Sequence, residues 1–412
     1  MRVLFTTPIL EHPAAGGPQL RIENSIKALS RVCELDVIYL DTVFGASGPT
    51  EIVKNTNEFF REYASEYHVL YRPTPEGIFF RCLSLAEKVL NRFFFDTRTA
   101  KQANYIINHI DRRRIDILWF GYGNISYPLI KYVKEQRPNL KVVCDTDSVW
   151  SRFVLRELPY TSGLRKLRIW RAGRKKEVEE RAWVKLCNVT TAVSEVDTEY
   201  YKSIAEDPSR IHLFSNVIDI ESYKLPPQPP AGFKSPSIYL AGSFGHYNSP
   251  MDVAARWMLE EVFPYVLQSH PNVHFYIVGR NSELGFGHLN GPNVTVTGRL
   301  ESVLPYLCNT DVALVPLKFE SGTRFKILEA GACKIPLVST TLGAEGIPVV
   351  DGEHILIADE PEDFANAIVR LLDDKELARK LAAKCHDLVN KNFSVESLTI
   401  EAKQILEYLN HD

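Results

Sequence analysis

DVALVPLKFESGTRFKILEAGACKIPLVSTTLGAEG, residues 311–346, decides the architecture of this chain. It opens with VALVPL, a short unbroken apolar run of the kind a strand buried in a parallel sheet requires. The polar loop KFESGTR follows. Then comes FKILEAGACK, in which Phe325, Ile327, Leu328, Ala330 and Ala332 can lay a helix on that sheet. IPLVST is a second buried strand, so the unit reads strand, loop, helix, strand. Its polar residues gather at the loop and the helix start, the carboxyl edge of an open parallel sheet, where ligands bind. Ser321 and Thr323 are residue types that cap helices, and Gly322 permits close backbone approach. Free amides at a helix start suit a phosphate oxygen, and Arg324 and Lys326 add two positive charges. One turn later, Glu329 can accept hydrogen bonds from a vicinal diol such as a ribose. A diphosphate clamp beside a diol acceptor is what a nucleotide-sugar site needs. The competing reading makes Arg324 and Lys326 a solvated helix start.

A chain of 412 residues is too long for one ordinary core, and two domains of roughly 200 residues are expected. Val3–Thr7 is a strand, the loop Pro8–Pro18 ends in GGPQLR, Leu20, Ile22, Ile26 and Leu29 have helical spacing, and LDVIYL (35–40) is the next strand. That order is a Rossmann-like half. Gly16-Gly17 is not a GxGxxG fingerprint, which counts against a dinucleotide oxidoreductase. IDILWFGYG (115–123) and KVVCDTDSVWSRF (141–153) begin as buried strands, the second running to Asp145 and Asp147. Either aspartate can cap the following helix; Asp147 can also bond a sugar hydroxyl or accept an acceptor's proton. The proline-rich 226–236 is a linker. It divides 1–225, the N-terminal domain, from 237–391, the C-terminal one, and 392–412 is a final helix.

Hydrophobic content of 45% and charged content of 24% are those of a globular protein, and a net charge of -3 gives no global pull towards nucleic acid. Seven cysteines without a CxxC pair read as reduced thiols, not as a disulfide frame or zinc site. MRVLFTTPIL starts with a strand, not a signal peptide, and no apolar run approaches the ~20 residues that span a bilayer, so a cytoplasmic protein is expected. Two stretches carry open alternatives. The aromatic region around Ile78–Phe95 is core or an acceptor-docking or membrane-touching surface. The basic run RKLRIWRAGRKK, within 164–185, is a solvated helix with Lys175 and Lys176 paired to Glu179 and Glu180. Alternatively, its Leu164, Leu167, Trp170 and Val178 edge meets an anionic membrane, peripherally at the inner face, or a phosphate-bearing acceptor.

SGTRFKILEAGACKIPLVST with LGAEGI resembles the donor-site signature of the group-1 (family 4) retaining glycosyltransferases of GT-B fold. LAGSFGHYNSPMDVAARWML, HFYIVGR and VTVTGRL extend the resemblance over Ile238–Leu372. It implies an α/β fold of two Rossmann-like domains facing across a cleft, with a C-terminal helix crossing back to the N-terminal domain. It implies sugar transfer from a UDP or GDP sugar to a glycan or lipid-linked acceptor, with retention and without a cofactor. The N-terminal domain would take the acceptor and the C-terminal domain the donor. The donor would meet Gly16 and Gly17 from the first loop, Gly242, Ser243 and Phe244, Arg299 and Leu300 at the base, and Ser321, Gly322, Thr323, Leu328 and Glu329. Arg324, Lys326 and Asp147 would serve the chemistry. Asp145-Thr146-Asp147 has the spelling of a metal-binding DxD but lies in the half that does not hold the diphosphate, so no metal is called for. One departure from the pattern stands: counting back eight from Glu329, where many members have a glutamate, gives Ser321, with Glu320 one place early. An inactive GT-B scaffold is therefore the alternative.

Overall fold

The computed structural model describes residues 1–9, 11–14, 16–40, 50–70, 97–245, 249–320 and 324–411. The apolar runs of the sequence become strands of two all-parallel sheets. The N-terminal sheet comprises β1 (Arg2–Thr7), β2 (Glu34–Leu40), β3 (Glu66–Leu70), β4 (Ile117–Phe120), β5 (Lys141–Asp145), β6 (Val189–Ala192) and β7 (Ile211–Leu213), in the order β3-β2-β1-β4-β5-β6-β7. The C-terminal sheet comprises β8 (Ser237–Ala241), β9 (His274–Val278), β10 (Val294–Val296), β11 (Val312–Val315), β12 (Leu337–Ser339) and β13 (Leu356–Ile357), in the order β10-β9-β8-β11-β12-β13. Val3 lies between Leu35 and Ile117, and Ala313 between Leu337 and Tyr239. Strand order therefore reverses between β1 and β4 and again between β8 and β11. At such a switch point the connecting loops diverge and leave a crevice at the carboxyl edge.

Side chains alternate across each sheet. Val3 and Phe5 join a core with Ile22, Ile26 and Trp119 on one face, while Leu4 joins Leu118, Phe120 and Trp183 on the other. The first face is closed by the last helix, Val395–His411, whose Leu398, Ala402, Ile405 and Leu409 pack into the N-terminal core. Burying each of its larger side chains contributes about 1.5–3 kcal/mol. Glu401 fixes the helix by accepting from the main-chain N–H of Ser215 at 2.7 Å and from its hydroxyl at 2.8 Å. This is the GT-B arrangement of two Rossmann-like sheets with a returning C-terminal helix.

The signature helix runs Phe325–Ala332, starting where FKILEAGACK predicts it, with Arg324 at its N-cap position. Ser321, Gly322 and Thr323 lie outside the described residues, as does the aromatic run Ile78–Phe95. The proline-rich linker is anchored at its far end. Phe233 stacks on Tyr276 at 4.7 Å, and the Lys234 N–H donates to the Tyr276 hydroxyl at 2.7 Å, which seats its end on the C-terminal sheet.

Candidate functional site

β11 ends at Val315, and the chain runs through Lys318–Glu320 towards the signature helix. Arg324 stands there with extended backbone (φ -91°, ψ 95°) and only 4% exposure, which excludes a solvated helix start. Burial lowers its pKa, against the pull of Glu320 and Glu345. Lys326 is half-buried, and no hydrogen bond or ion pair joins it to another described residue. Burial pulls its ammonium below the ordinary lysine range, while Glu320 and Glu329 resist and Arg324 adds repulsion. Glu329, one turn on, is held above the ordinary carboxyl range by burial, with Lys326 opposing. It accepts from the Tyr223 hydroxyl at 3.2 Å. The crevice thus presents two incompletely solvated cations with a carboxylate one turn behind them.

The first loop of the N-terminal half meets this helix. A Cβ on Gly17 would come within 2.9 Å of the Phe325 ring, so only glycine allows the approach. Beside it, Arg299 pairs across the crevice with Glu11 at 3.1 Å. Arg156 spans the same gap, pairing with both oxygens of Glu345 at 2.7 and 2.8 Å. After β8, Gly242 is crossed closely by Gly279, where a Cβ would lie 2.0 Å from the Gly242 oxygen. Gly242 and Ser243 stay accessible, but the Phe244 ring is buried against Phe286 at 5.7 Å. Leu328 is fully buried in the C-terminal core and Leu300 packs against it. Phe244 and Leu328 can reach a ligand only through their main chains, whereas the Leu300 side chain is partly exposed.

The two aspartates of β5 and its loop divide. Asp145 is fully buried and ion-paired to Arg21, and it also accepts from the Thr191 hydroxyl at 2.6 Å, so it is structural. The Oδ1 of Asp147 accepts from Asn124 and from the Trp150 ring N–H at 2.9 Å, and burial raises its pKa. Neither caps the next helix, Trp150–Leu155, which corrects that expectation. Glu180 bonds the Ser151 N–H at 2.8 Å and its hydroxyl at 2.6 Å. Glu180 is thus also withdrawn from the expected pairing on the basic helix, where Lys176 bonds Glu179 at 2.7 Å.

Sequence reading passed over Arg21, Arg156 and Asp197. A charged residue between Leu20 and Ile22 on an apolar helix face was a signal for Arg21. For Asp197 it was the spacing Ser194-x-x-Asp197, a capping pattern; the Ser194 hydroxyl does accept from the Asp197 N–H at 3.2 Å. Cys308 and Cys333, far apart in sequence, lie with sulfurs 3.4 Å apart. Among the described residues, Glu66, His68 and His109 gather possible metal-ligand atoms within 4.8 Å, but Arg112 and Arg113 are already ion-paired to Glu66.

Asp197 is 2% exposed, and its Oδ2 has no hydrogen-bond partner among the described residues. Burial pushes its carboxyl from the ordinary 3.8 up to about 6; Arg152 and Arg324 oppose the rise and Glu345 adds to it. A carboxyl raised by folding favours the folded state below pH 3.8, and that contribution is lost as the pH rises through about 6. Asp197→Asn is therefore expected to gain on the order of 2–3 kcal/mol of stability at pH 7.5 and almost none near pH 4. Urea unfolding at the two pH values measures this; equal stability at pH 7.5 would show that the charge is fully compensated.

A family model described as Glycosyl transferases group 1 matches residues 236–374, the span that holds the signature helix. The lipopolysaccharide core biosynthesis glycosyltransferase LpsE of Rhizobium meliloti is 29% identical over 144 residues, 33% of this chain and 42% of LpsE. An uncharacterized glycosyltransferase of Methanocaldococcus jannaschii, MJ1178, is 27% identical over 124 residues, 29% of this chain and 35% of its own length. The matched stretches thus span less than half of these relatives. Whole-chain likeness comes from fold. Anabaena Alr3699/HepE, solved in complex with UDP-glucose, superposes with a TM-score of 0.63 at 13% identity, covering 100% of both chains. The sucrose-phosphate synthase of Thermosynechococcus elongatus gives 0.69 at 16%, again over 100% of both. Residues 236–374 thus match the Glycosyl transferases group 1 model, and the chain as a whole has the GT-B fold.

Proposed function

We propose that this protein transfers a sugar from a nucleoside-diphosphate sugar to an acceptor hydroxyl, with residues 237–391 holding the donor and 1–225 the acceptor. The observation that carries the reading is Lys326, a half-buried ammonium without a partner among the described residues, beside buried Arg324 at a helix start on the carboxyl edge. The developing charge of the leaving diphosphate is the main electrostatic load of such a transfer, and fixed cations in a partly dry site are suited to it. Glu329 would take the ribose hydroxyls, Ser321–Thr323 the phosphates, and Arg299–Leu300 the base. Gly16–Gly17 would face the sugar. Asp147 would serve the acceptor hydroxyl. UDP is the first donor nucleotide to try, since HepE of the same fold holds UDP-glucose, with GDP second. Retention of configuration and independence of metal are those of the family the signature resembles.

The acceptor would be a glycan or lipid-linked glycan, in keeping with the lipopolysaccharide assignment of LpsE. The helix Gly163–Leu186 supports a membrane-associated setting on the cytoplasmic side. Its first half is exposed, with Leu164 at 75% and Leu167 and Trp170 also open to solvent among Arg165, Lys166, Arg168 and Arg171. Among the described residues no helix is long and apolar enough to cross a membrane.

Assays across a nucleotide-sugar panel test the function directly, and turnover itself separates an enzyme from an inactive scaffold. Lys326→Ala should fold normally and lose on the order of a hundredfold in transfer rate, the scale of removing one charge stabiliser; near wild-type turnover would refute the site. Glu329→Gln weakens a charge-assisted bond worth about 1.5–3 kcal/mol. It should raise the donor's KM about tenfold or more, with less effect on kcat, because the ribose contact is alike in ground and transition states. Pyrophosphate should bind mutant and wild type equally. For the basic helix, sedimentation with phosphatidylglycerol vesicles should show binding that falls steeply with salt. Binding indifferent to salt would return the helix to a solvated face.

A further inference from the structure

Arg156 immediately follows the helix Trp150–Leu155 in the N-terminal half and reaches over the crevice. Its Nη1 donates to the main-chain oxygen of Glu320 at 2.6 Å and to Glu345 Oε1 at 2.7 Å, and its Nη2 donates to Glu345 Oε2 at 2.8 Å. Four residues on, the Tyr160 hydroxyl donates to the main-chain oxygen of Lys318 at 3.1 Å, and its ring lies 5.1 Å from that of Phe319. Each of Lys318, Phe319 and Glu320 is thereby held by a side chain from the opposite half. These residues lead directly into Ser321–Arg324.

The chemistry of the grip is specific. A guanidinium is a planar fork; with two nitrogens on one carboxylate its orientation is fixed, and a further N–H remains for the Glu320 oxygen. Glu345 ends the short turn that follows β12, and Glu320 lies in the chain after β11, so one side chain ties the edges of neighbouring strands together. The Arg156 and Glu345 side chains are 27% and 24% exposed, so the pair adds little to global stability. Its effect falls on the geometry of the loop, whose ordering otherwise opposes ligand binding.

We propose that Arg156, assisted by Tyr160, is a donor-positioning residue contributed by the N-terminal half. It holds the Lys318–Glu320 main chain so that the diphosphate clamp is formed when the crevice is closed. This rests on the reading of the crevice as a nucleoside-diphosphate-sugar site. The test is calorimetric titration of wild type, R156A, R156K and the swap R156E/E345R with UDP and with GDP, alongside melting curves. R156A should bind the nucleotide that wild type binds about tenfold or more weakly, with its melting temperature within about 2 °C of wild type. R156K, a point charge that cannot fork, should recover only part of the affinity, and the charge swap more than either single change. In turnover, the donor's KM should rise while kcat at saturating donor and the acceptor's KM stay near wild type. R156A binding as tightly as wild type would overturn the positioning role alone. So would a loss of affinity accompanied by a melting temperature several degrees lower, which marks a merely structural role. Wild type binding neither nucleotide would overturn the donor-site reading itself.

Discussion

A guanidinium without access to water organises the N-terminal half. The Arg21 and Asp145 side chains are 1% and 0% exposed, and taking such charges out of water costs several kcal/mol per ion unless the geometry answers them. Here the answer comes from three places. Asp145 ends β5, and the Phe214 oxygen and the Asn216 side chain follow β7, at 3.2 and 2.7 Å from Arg21 Nη1. Arg21 belongs to the helix Gly17–Ser30 that leaves β1. One side chain therefore fixes the beginning of that helix against the carboxyl ends of strands far from it in the sheet. Removing Asp145 or Arg21 alone would leave a buried charge unanswered, at about 3–5 kcal/mol. The position of Gly16–Gly17, and so the close approach of Gly17 to Phe325, follows from this pair.

The C-terminal half uses charge in the opposite way. Arg324 and Lys326 are drawn out of water beside one another, and the pull of Glu320, Glu345 and Glu329 does not cancel the effect of burial on either. Such an arrangement is unfavourable by itself and, on the proposed reading, would become favourable beside an anion. Arg21 is satisfied by its own chain, whereas no hydrogen bond or ion pair joins Lys326 to another described residue.

Much of this could be read from the sequence. VALVPL, IPLVST and SIYLAG are apolar on both faces, which only a covered parallel sheet accommodates, and the strands lie within a residue or two of their expected places. The GT-B arrangement and the returning helix followed from the family resemblance that the signature carries. What sequence did not reveal was pairwise. Nothing near Asp145 in the chain marks it as the partner of Arg21, 124 residues away. Asp147 and Glu180 are acids beside plausible helix partners, yet the fold assigns the cap to Glu180, 29 residues from Ser151. Phe244 and Leu328 fell on the site by position but point into the core, because the adjoining backbone, not the side chain, reaches the crevice edge. Long-range polar pairing depends on which loops the topology brings together, and the local pattern does not encode that.

The contacts joining the two halves differ in kind on the two sides of the molecule. Across the crevice they are polar and partly exposed: Arg156 with Glu345, Arg299 with Glu11, Tyr160 with the Lys318 oxygen. Exposed pairs of this sort are worth about 0–1 kcal/mol each. At the other side the chain crosses between halves twice, and the crossings touch, the Ile218 N–H donating to the Phe393 oxygen at 3.1 Å. There Val217 belongs to the N-terminal core and Ile218 to the C-terminal one, and the last helix seals the junction with fully buried Leu398 and Ile405. Separating that side would expose core; separating the crevice side would expose mainly polar groups to water that can replace their partners. The architecture therefore resists parting at the hinge and resists it weakly at the site. On the proposed reading, a ligand held by both edges of the crevice would supply the missing attraction.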